Sequence, residues 1–334
     1  MIISRTPLRI SLGGGGTDLP FYCIRFGASL ITAAINKYIY ITVSHRVDNQ
    51  YKLNYSKTEI IKKIDDINHP LFRECLRFIK IEKPLEIHSV AEIPAGTGLG
   101  SSGSFAVGLL NALYYYKGEI ISKYKMAEDA SHVMMDILKE PCGKQDQYAA
   151  SFGNLTYLEI DTNGKVIVTP LNISYDYFKK LEFNLMMFYT GLTRSANEIL
   201  AEQRNKAEKK ENKSSADILE YYHKIKKIGK ESLKCLENGD LRRFGKLMNT
   251  HWEIKRNISN SMSNEKIDEW YALALANGAI GGKIIGAGGG GFLMLYVHEN
   301  HDRVRKLLED QGLVYTDFKF DFDGSRIVYD GKHF

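Results

Sequence analysis

The stretch that most constrains this chain is Ile93 to Ser104, which places four glycines and three serines between two apolar runs. A strand-like segment, Leu85 to Ile93, leads in, and a small-residue apolar segment, Phe105 to Leu113, leads out. The order reads as strand, glycine-rich loop, helix N-terminus. The first turn of a helix leaves backbone N–H groups without intrahelical partners, and the macrodipole is positive there. Glycine lets the backbone come close to an anion, so the stretch is expected to cradle phosphate. The plain alternative is a small-residue turn with a serine N-cap.

Three further stretches stand out. Gly13 to Gly16 is a run of four glycines ending in Thr17-Asp18. Such a run is entropically costly, so close backbone approach is expected there. Asp18 can accept hydrogen bonds from hydroxyls, and Arg9 upstream can neutralise a phosphate. A hairpin turn closed by the aspartate is the alternative. Gly143-Lys144-Gln145-Asp146-Gln147 follows the helix-stopping Pro141. Asp146 beside Lys144 fits either a general base or a salt-bridged surface pair. Gly281 to Val297 packs seven glycines around Lys283-Ile284-Ile285. It offers a second backbone cradle followed by a buried strand, Phe292–Val297, or simply tight strand packing.

The rest of the chain sets bounds on these sites. Its 334 residues are a comfortable length for two domains. With 44% hydrophobic and 25% charged residues, burying a large core is no difficulty. A formal net charge of +5 is too mild to call for nucleic acid but suits an anionic substrate. Cys23, Cys75, Cys142 and Cys235 lie far apart and read as reduced thiols of a cytoplasmic protein, not a disulfide framework or zinc site. No cleavable leader or membrane-spanning run is expected. The nine histidines show no paired metal spacing, and His251 beside Trp252 reads as packing.

Ile2 to Leu12 alternates like an opening strand pair broken at Pro7. Ser29 to Val47 is strand-rich, with Ile39, Ile41 and Val43 on one face. Lys57 to Lys80 is expected to be helical and broken by Pro70. Ser122 is expected to cap a helix running to about Lys139. Leu155–Ile160, Val166–Leu171 and Phe183–Tyr189 read as strands. Ala201 to Lys213 is a charge run on a solvated face or loop. Asp217–Asn238, Leu241–Asn257 and Glu265–Asn277 read as helices, then a helix near Asp302–Gln311 and closing strands. The boundary is placed at residue 170, giving halves 1–170 and 171–334.

The loop formally contains Gly98-x-Gly100-x-x-Gly103, a weak match to a dinucleotide-binding fingerprint. That fold wants an acidic residue closing a second strand about 20 residues on, and Lys117 to Ala127 has no strand. A Walker loop needs a Gly-Lys-Ser/Thr lysine, which is missing. A protein-kinase loop needs downstream signatures that do not occur. Any phosphate held here is held in another fold.

Taken together and in this order, the stretches resemble the GHMP kinases, which include galactokinase, homoserine kinase and mevalonate kinase. Arg5 to Asp18, Pro94 to Ser102 and Lys283 to Phe292 match the family's three motifs. The fine pattern is similar to sugar-1-kinases of the D-glycero-D-manno-heptose 7-phosphate kinase type. The resemblance implies an α+β, two-domain architecture with the active site in the interdomain cleft. It implies ATP and Mg²⁺ as cofactors and a sugar or sugar phosphate as acceptor, phosphorylated at the anomeric hydroxyl. It leaves room for a homodimer and implies neither nucleic acid nor membrane as partner.

The resemblance also assigns roles. Pro94, Gly96, Thr97, Gly98, Leu99, Gly100, Ser101, Ser102 and Gly103 would hold ATP, with the Ser102 hydroxyl on Mg²⁺. Asp146 would take the acceptor's proton, flanked by Arg9. Gly14, Gly15, Gly16, Thr17 and Asp18 would meet the sugar, together with Gly288 and Gly289. Arg194, Lys144 and Lys283 would meet a distal phosphate, and strand residues near Tyr51–Tyr55 the adenine. One departure matters. Relatives place a Mg²⁺-binding glutamate at the position of Met134, and a thioether does not suit a hard cation. Asp136 or Glu128 would then substitute from another helix face, or Ser102, water and phosphates would suffice. Two rival readings remain at this stage. One is a non-catalytic sugar and ATP sensor on the same fold, or a kinase of fucose or galactose. The other, far weaker, is an NAD-binding oxidoreductase.

Overall fold

The protein is described from a computed structural model covering residues 1–192, 196–208, 213–259 and 261–331. The chain begins with β1 (Ile2–Gly13), α1 (Pro20–Phe26), β2 (Ala28–His45), β3 (Tyr51–Asn54) and β4 (Thr58–Ile61). Next come α2 (Pro70–Ile79), β5 (Leu85–Ala91), α3 (Ser101–Tyr116), α4 (Lys123–Ser131), α5 (Gln145–Phe152), β6 (Leu155–Ile160) and β7 (Val166–Pro170). The second half holds α6 (Tyr175–Asn184), β8 (Leu185–Tyr189), α7 (Ala196–Glu208), α8 (Lys213–Glu237), α9 (Leu241–Arg256) and α10 (Glu265–Leu275). It ends with β9 (Ala279–Ile284), β10 (Phe292–Val297), α11 (His301–Asp310), β11 (Val314–Tyr315) and β12 (Arg326–Asp330).

Two sheets result. The larger runs β12-β1-β2-β5-β3-β4, with β6 and β7 branching from β2. The branch exists because β2 is long: its first half, Ala28–Ala33, pairs with β6, and its second half, Ile39–His45, pairs with β5. The smaller sheet is antiparallel, in the order β11-β8-β10-β9. The expected division at residue 170 falls at the end of β7, while β12, from the far end of the chain, closes the first sheet beside β1.

Burial follows the sequence pattern. Ile39, Ile41 and Val43 are buried and the residues between them are not. Every residue from Thr6 to Gly13 is buried, so both faces of that part of β1 are covered. Helices α3, α5, α8 and α9 all contact β1. One apolar cluster joins the two sheets, uniting Ile10, Leu109 and Leu110 with Met187, Phe244 and Tyr296.

Four expectations change. Pro7 does not split the first strand; it marks a shift in the β1–β2 register. The segment Lys57–Lys80 is not one helix, because Thr58–Ile61 pairs with β3. Pro70 begins α2 rather than breaking it, at the position where its missing N–H costs nothing. The helix from Ser122 widens: after α4, His132–Ile137 is a π turn with i→i+5 bonding.

Leu110 is fully buried on α3, the helix that carries the glycine loop. Leu110→Ala should lower unfolding stability by roughly 2–5 kcal/mol. A denaturant midpoint equal to the wild type's would show that this core does not hold the loop's helix.

Candidate functional site

The site is assembled where three chain segments meet. Strand β5 ends, the loop 92–100 follows, and α3 begins behind Gly100 in the left-handed conformation. Arg9 crosses beneath this loop from β1. Its backbone N–H donates to the Leu99 carbonyl at 3.0 Å. Its Nη1 donates to the Gly98 carbonyl at 2.6 Å. Its Nε donates to Asp146 Oδ1 at 2.6 Å. One buried guanidinium therefore fixes both the loop and the carboxylate.

Asp146 lies in the first turn of α5, which packs against α3. A Cβ on Gly103 would sit 2.5 Å from Asp146 Cβ, so only glycine lets the two helices approach this closely. The Asp146 side chain is 28% exposed, into the cleft, and among the described residues Oδ2 has no protein partner. Asp18 Oδ2 accepts from the Gln145 backbone N–H at 3.0 Å, anchoring the same helix at its positive end. Burial, followed by the nearby Asp146 charge, pushes the Asp18 carboxyl above its ordinary pKa, while the Gln145 N–H and Arg9 oppose the shift.

The cleft encloses about 1150 Å³ of non-protein space, its open mouth included. Gly96, Gly98, Gly100, Ser101 and Ser102 line one wall, and Gly15, Gly16 and Asp18 another. His251 and Lys255 of α9 and Lys283 of β9 close the side belonging to the second half. Among the described residues, three buried polar atoms lining the cleft lack any protein partner: Ser11 Oγ, Gln145 Nε2 and His251 Nε2. Buried polar groups are normally paired, so these point to a polar ligand or water. Glu140 also lines the cleft, and burial alone raises its pKa.

Several expected site residues lie elsewhere. Lys144 does not reach the cleft: Glu128 and the Gly164 carbonyl take its ammonium at 2.8 Å. Asp136 is exposed and paired with His132 at 2.8 Å, so it is not the substitute metal ligand, and Glu128 is engaged by Lys144 and Tyr148. Leu99 points into the core, and the Thr97 hydroxyl closes the turn on the Pro94 carbonyl at 3.0 Å. Gly14 and Thr17 form a buried turn, with Thr17 Oγ1 donating to the Gly14 carbonyl at 2.7 Å. Gly289 donates to the Met262 carbonyl and Gly288 packs on Met262, while Gly286 and Ala287 line the cleft in their place. Tyr55 packs edge-on against His69 and tilted against Phe72, and Tyr51 is buried; neither lines the cleft. Arg194 lies outside the described residues.

His251 is buried, but it is more than packing, because Lys283 Nζ lies 3.4 Å from its Nδ1. Lys255 was not expected at all. The signal was present: His251 and Lys255 are four residues apart and so share a helix face.

The donor set also bears on a metal. Met134 lines the cleft at 2% exposure and offers only a thioether. Among the described residues, no three His, Cys, Asp or Glu side chains could hold a metal ion together. These residues do not make a closed site. They fit a cation that arrives with phosphate oxygens and needs few protein ligands.

Residues 47–154 match the family described as GHMP kinases N terminal domain, and residues 232–310 match GHMP kinases C terminal. The chain is 32% identical, over 338 residues and 97% of each chain, to a D-glycero-alpha-D-manno-heptose 7-phosphate kinase of Campylobacter jejuni. It is 30% identical over 236 residues, 63% of each chain, to a galactokinase of Pyrococcus furiosus. A crystal structure of a putative sugar kinase from Campylobacter jejuni superposes with a TM-score of 0.78 at 28% identity, covering 98% of this chain and 97% of that one. The fold is shared with a D-glycero-D-manno-heptose 1-phosphate kinase structure from Bacteroides thetaiotaomicron, TM-score 0.79 at 24% identity over 99% and 100% of the chains. Among the described residues, no helix is long and apolar enough to cross a membrane. With a full-length relative at this identity, the chain belongs to the GHMP kinases and is an ATP-dependent sugar kinase of mixed α/β, two-sheet fold.

Proposed function

We propose that this kinase phosphorylates the anomeric hydroxyl of D-glycero-D-manno-heptose 7-phosphate, giving the 1,7-bisphosphate. The full-length similarity to the Campylobacter jejuni enzyme of that name supports the acceptor. The observation that carries the chemistry is Asp146, clamped by Arg9 through Oδ1 and, among the described residues, free of protein partners at Oδ2. Oδ2 receives the proton of the acceptor hydroxyl as that oxygen attacks the γ-phosphorus. The bond from phosphorus to the ADP oxygen breaks, and ADP leaves with the electron pair. An anomeric hydroxyl is more acidic than an ordinary alcohol, which suits a carboxylate base.

Phosphoryl transfer depends on positioning and charge neutralisation more than on covalent chemistry. The backbone from Gly96 to Gly100 and the N-terminus of α3 face the cleft as phosphate binders. Arg9 adds the positive charge that a Walker lysine supplies elsewhere. Ser102 in the first turn of α3 would hold a Mg²⁺ bound with ATP, which would neutralise charge on the phosphates. Asp18 holds α5 in place from the sugar side.

Two outcomes test this reading. Asp146→Asn should lower kcat on heptose 7-phosphate by about 10²–10⁴-fold while MgATP affinity stays near the wild-type value. Wild-type kcat in that variant would remove Asp146 as the base. Met134→Glu adds an oxygen ligand beside the triphosphate, so the Mg²⁺ concentration giving half-maximal turnover should fall. An unchanged or higher Mg²⁺ requirement would place the metal away from Met134.

A further inference from the structure

We propose that Lys283, Lys255 and His251 form a subsite for a phosphate group carried by the acceptor, distinct from the loop that holds ATP. The inference rests on the reading of the protein as a sugar-phosphate kinase and assigns the residues that would make it one. All three side chains line the cleft. Lys283 comes from β9, and His251 and Lys255 from one face of α9, which packs on β9. Lys283 is 3% exposed and His251 is 1% exposed.

The cluster is unusual in what it lacks. Arg9 has Asp146, but among the described residues no carboxylate lies within 4.0 Å of Lys255 or Lys283. Lys255 Nζ donates to the Gly286 carbonyl. Lys283 Nζ faces His251 Nδ1 at 3.4 Å, and among the described residues His251 Nε2 has no protein partner. A buried ammonium group and a half-buried one beside a guanidinium are costly unless an anion meets them. Their pKa values record that cost. Burial first, then the neighbouring cations, pushes Lys283 and His251 well below their ordinary values and Lys255 down to about 8. A dianion placed among them would restore their charge.

ATP does not account for this cluster. The triphosphate already has the loop amides, the end of α3 and Arg9 from the first half of the chain. An uncharged sugar would leave both lysines uncompensated. A sugar phosphate, lying across the cleft with its reacting hydroxyl at Asp146, supplies the missing negative charge.

The test compares D-glycero-D-manno-heptose 7-phosphate with unphosphorylated D-glycero-D-manno-heptose in the wild type, Lys255→Met and Lys283→Met. The wild type should favour the phosphorylated sugar in kcat/KM. Each variant should raise its KM by about 10–100-fold, leaving KM for the unphosphorylated sugar and the Kd for MgATP within about 2-fold. The ligand-free melting temperature should hold or rise, because an uncompensated buried cation has been removed. Weakened MgATP binding with an intact acceptor KM would assign the cluster to the nucleotide and overturn the proposal. Equal losses on both sugars with a lowered melting temperature would make it structural and overturn it too. If the wild type instead prefers another sugar phosphate, the heptose assignment fails and the same variants are read on that substrate. If it turns over only unphosphorylated sugars, both readings fail.

Discussion

The arrangement depends on the Arg9 side chain. It leaves the core of the large sheet, is buried almost completely, and makes short bonds to a loop carbonyl and a catalytic-site carboxylate. A buried guanidinium without a partner would be strongly unfavourable, so Asp146 and the Gly98 carbonyl are needed by Arg9 as much as they are positioned by it. The planar fork holds both partners at fixed angles, which a lysine at this position could not do. One side chain on a rigid strand thus ties the glycine-rich loop to Asp146. Asp18 completes the frame by anchoring the helix that carries Asp146.

The two halves of the chain divide the electrostatic task. The first half supplies loop amides, a helix end and Arg9, all lining one side of the cleft. The second half supplies Lys255, Lys283 and His251 from a helix packed on a small antiparallel sheet. The acidic groups lie between them: Asp146 and Asp18 both belong to α5 or to its anchor. Cations therefore flank a carboxylate pair on two sides.

Much of this was legible in the sequence because it was local. The order strand, glycine loop, helix follows from Leu85–Ile93, four glycines and Phe105–Leu113, and β5 and α3 bracket the loop as expected. The period-two pattern of Ile39, Ile41 and Val43 fixed the buried face of β2. What was not legible depended on contacts distant in sequence. Thr97 and Leu99 sit inside the motif yet serve the turn and the core. Lys144 sits beside Asp146, but the first turn of α5 directs it to Glu128 instead. Lys255 is far from every glycine motif and reaches the cleft only because α9 packs on β9. The short β4 was missed because Thr58–Ile61 is too brief and too polar at its flanks to show a period.

The last glycine-rich stretch shows why motif membership and ligand contact differ. Gly98 and Gly286 cross backbone to backbone: a Cβ on Gly98 would lie 2.3 Å from the Ile285 carbonyl oxygen, and one on Gly286 would lie 2.5 Å from Gly98 Cα. Both have positive φ, so neither position tolerates a side chain on conformational or steric grounds. Gly286 and Gly291 of this stretch therefore seat the glycine-rich loop, Gly288 and Gly290 pack on Met262 and Leu192, and only Gly286 and Ala287 of the Gly286–Gly291 turn reach the cleft. Lys255 joins this crossing through the Gly286 carbonyl. The cation cluster of the second half thus touches the same backbone junction that positions the ATP loop of the first.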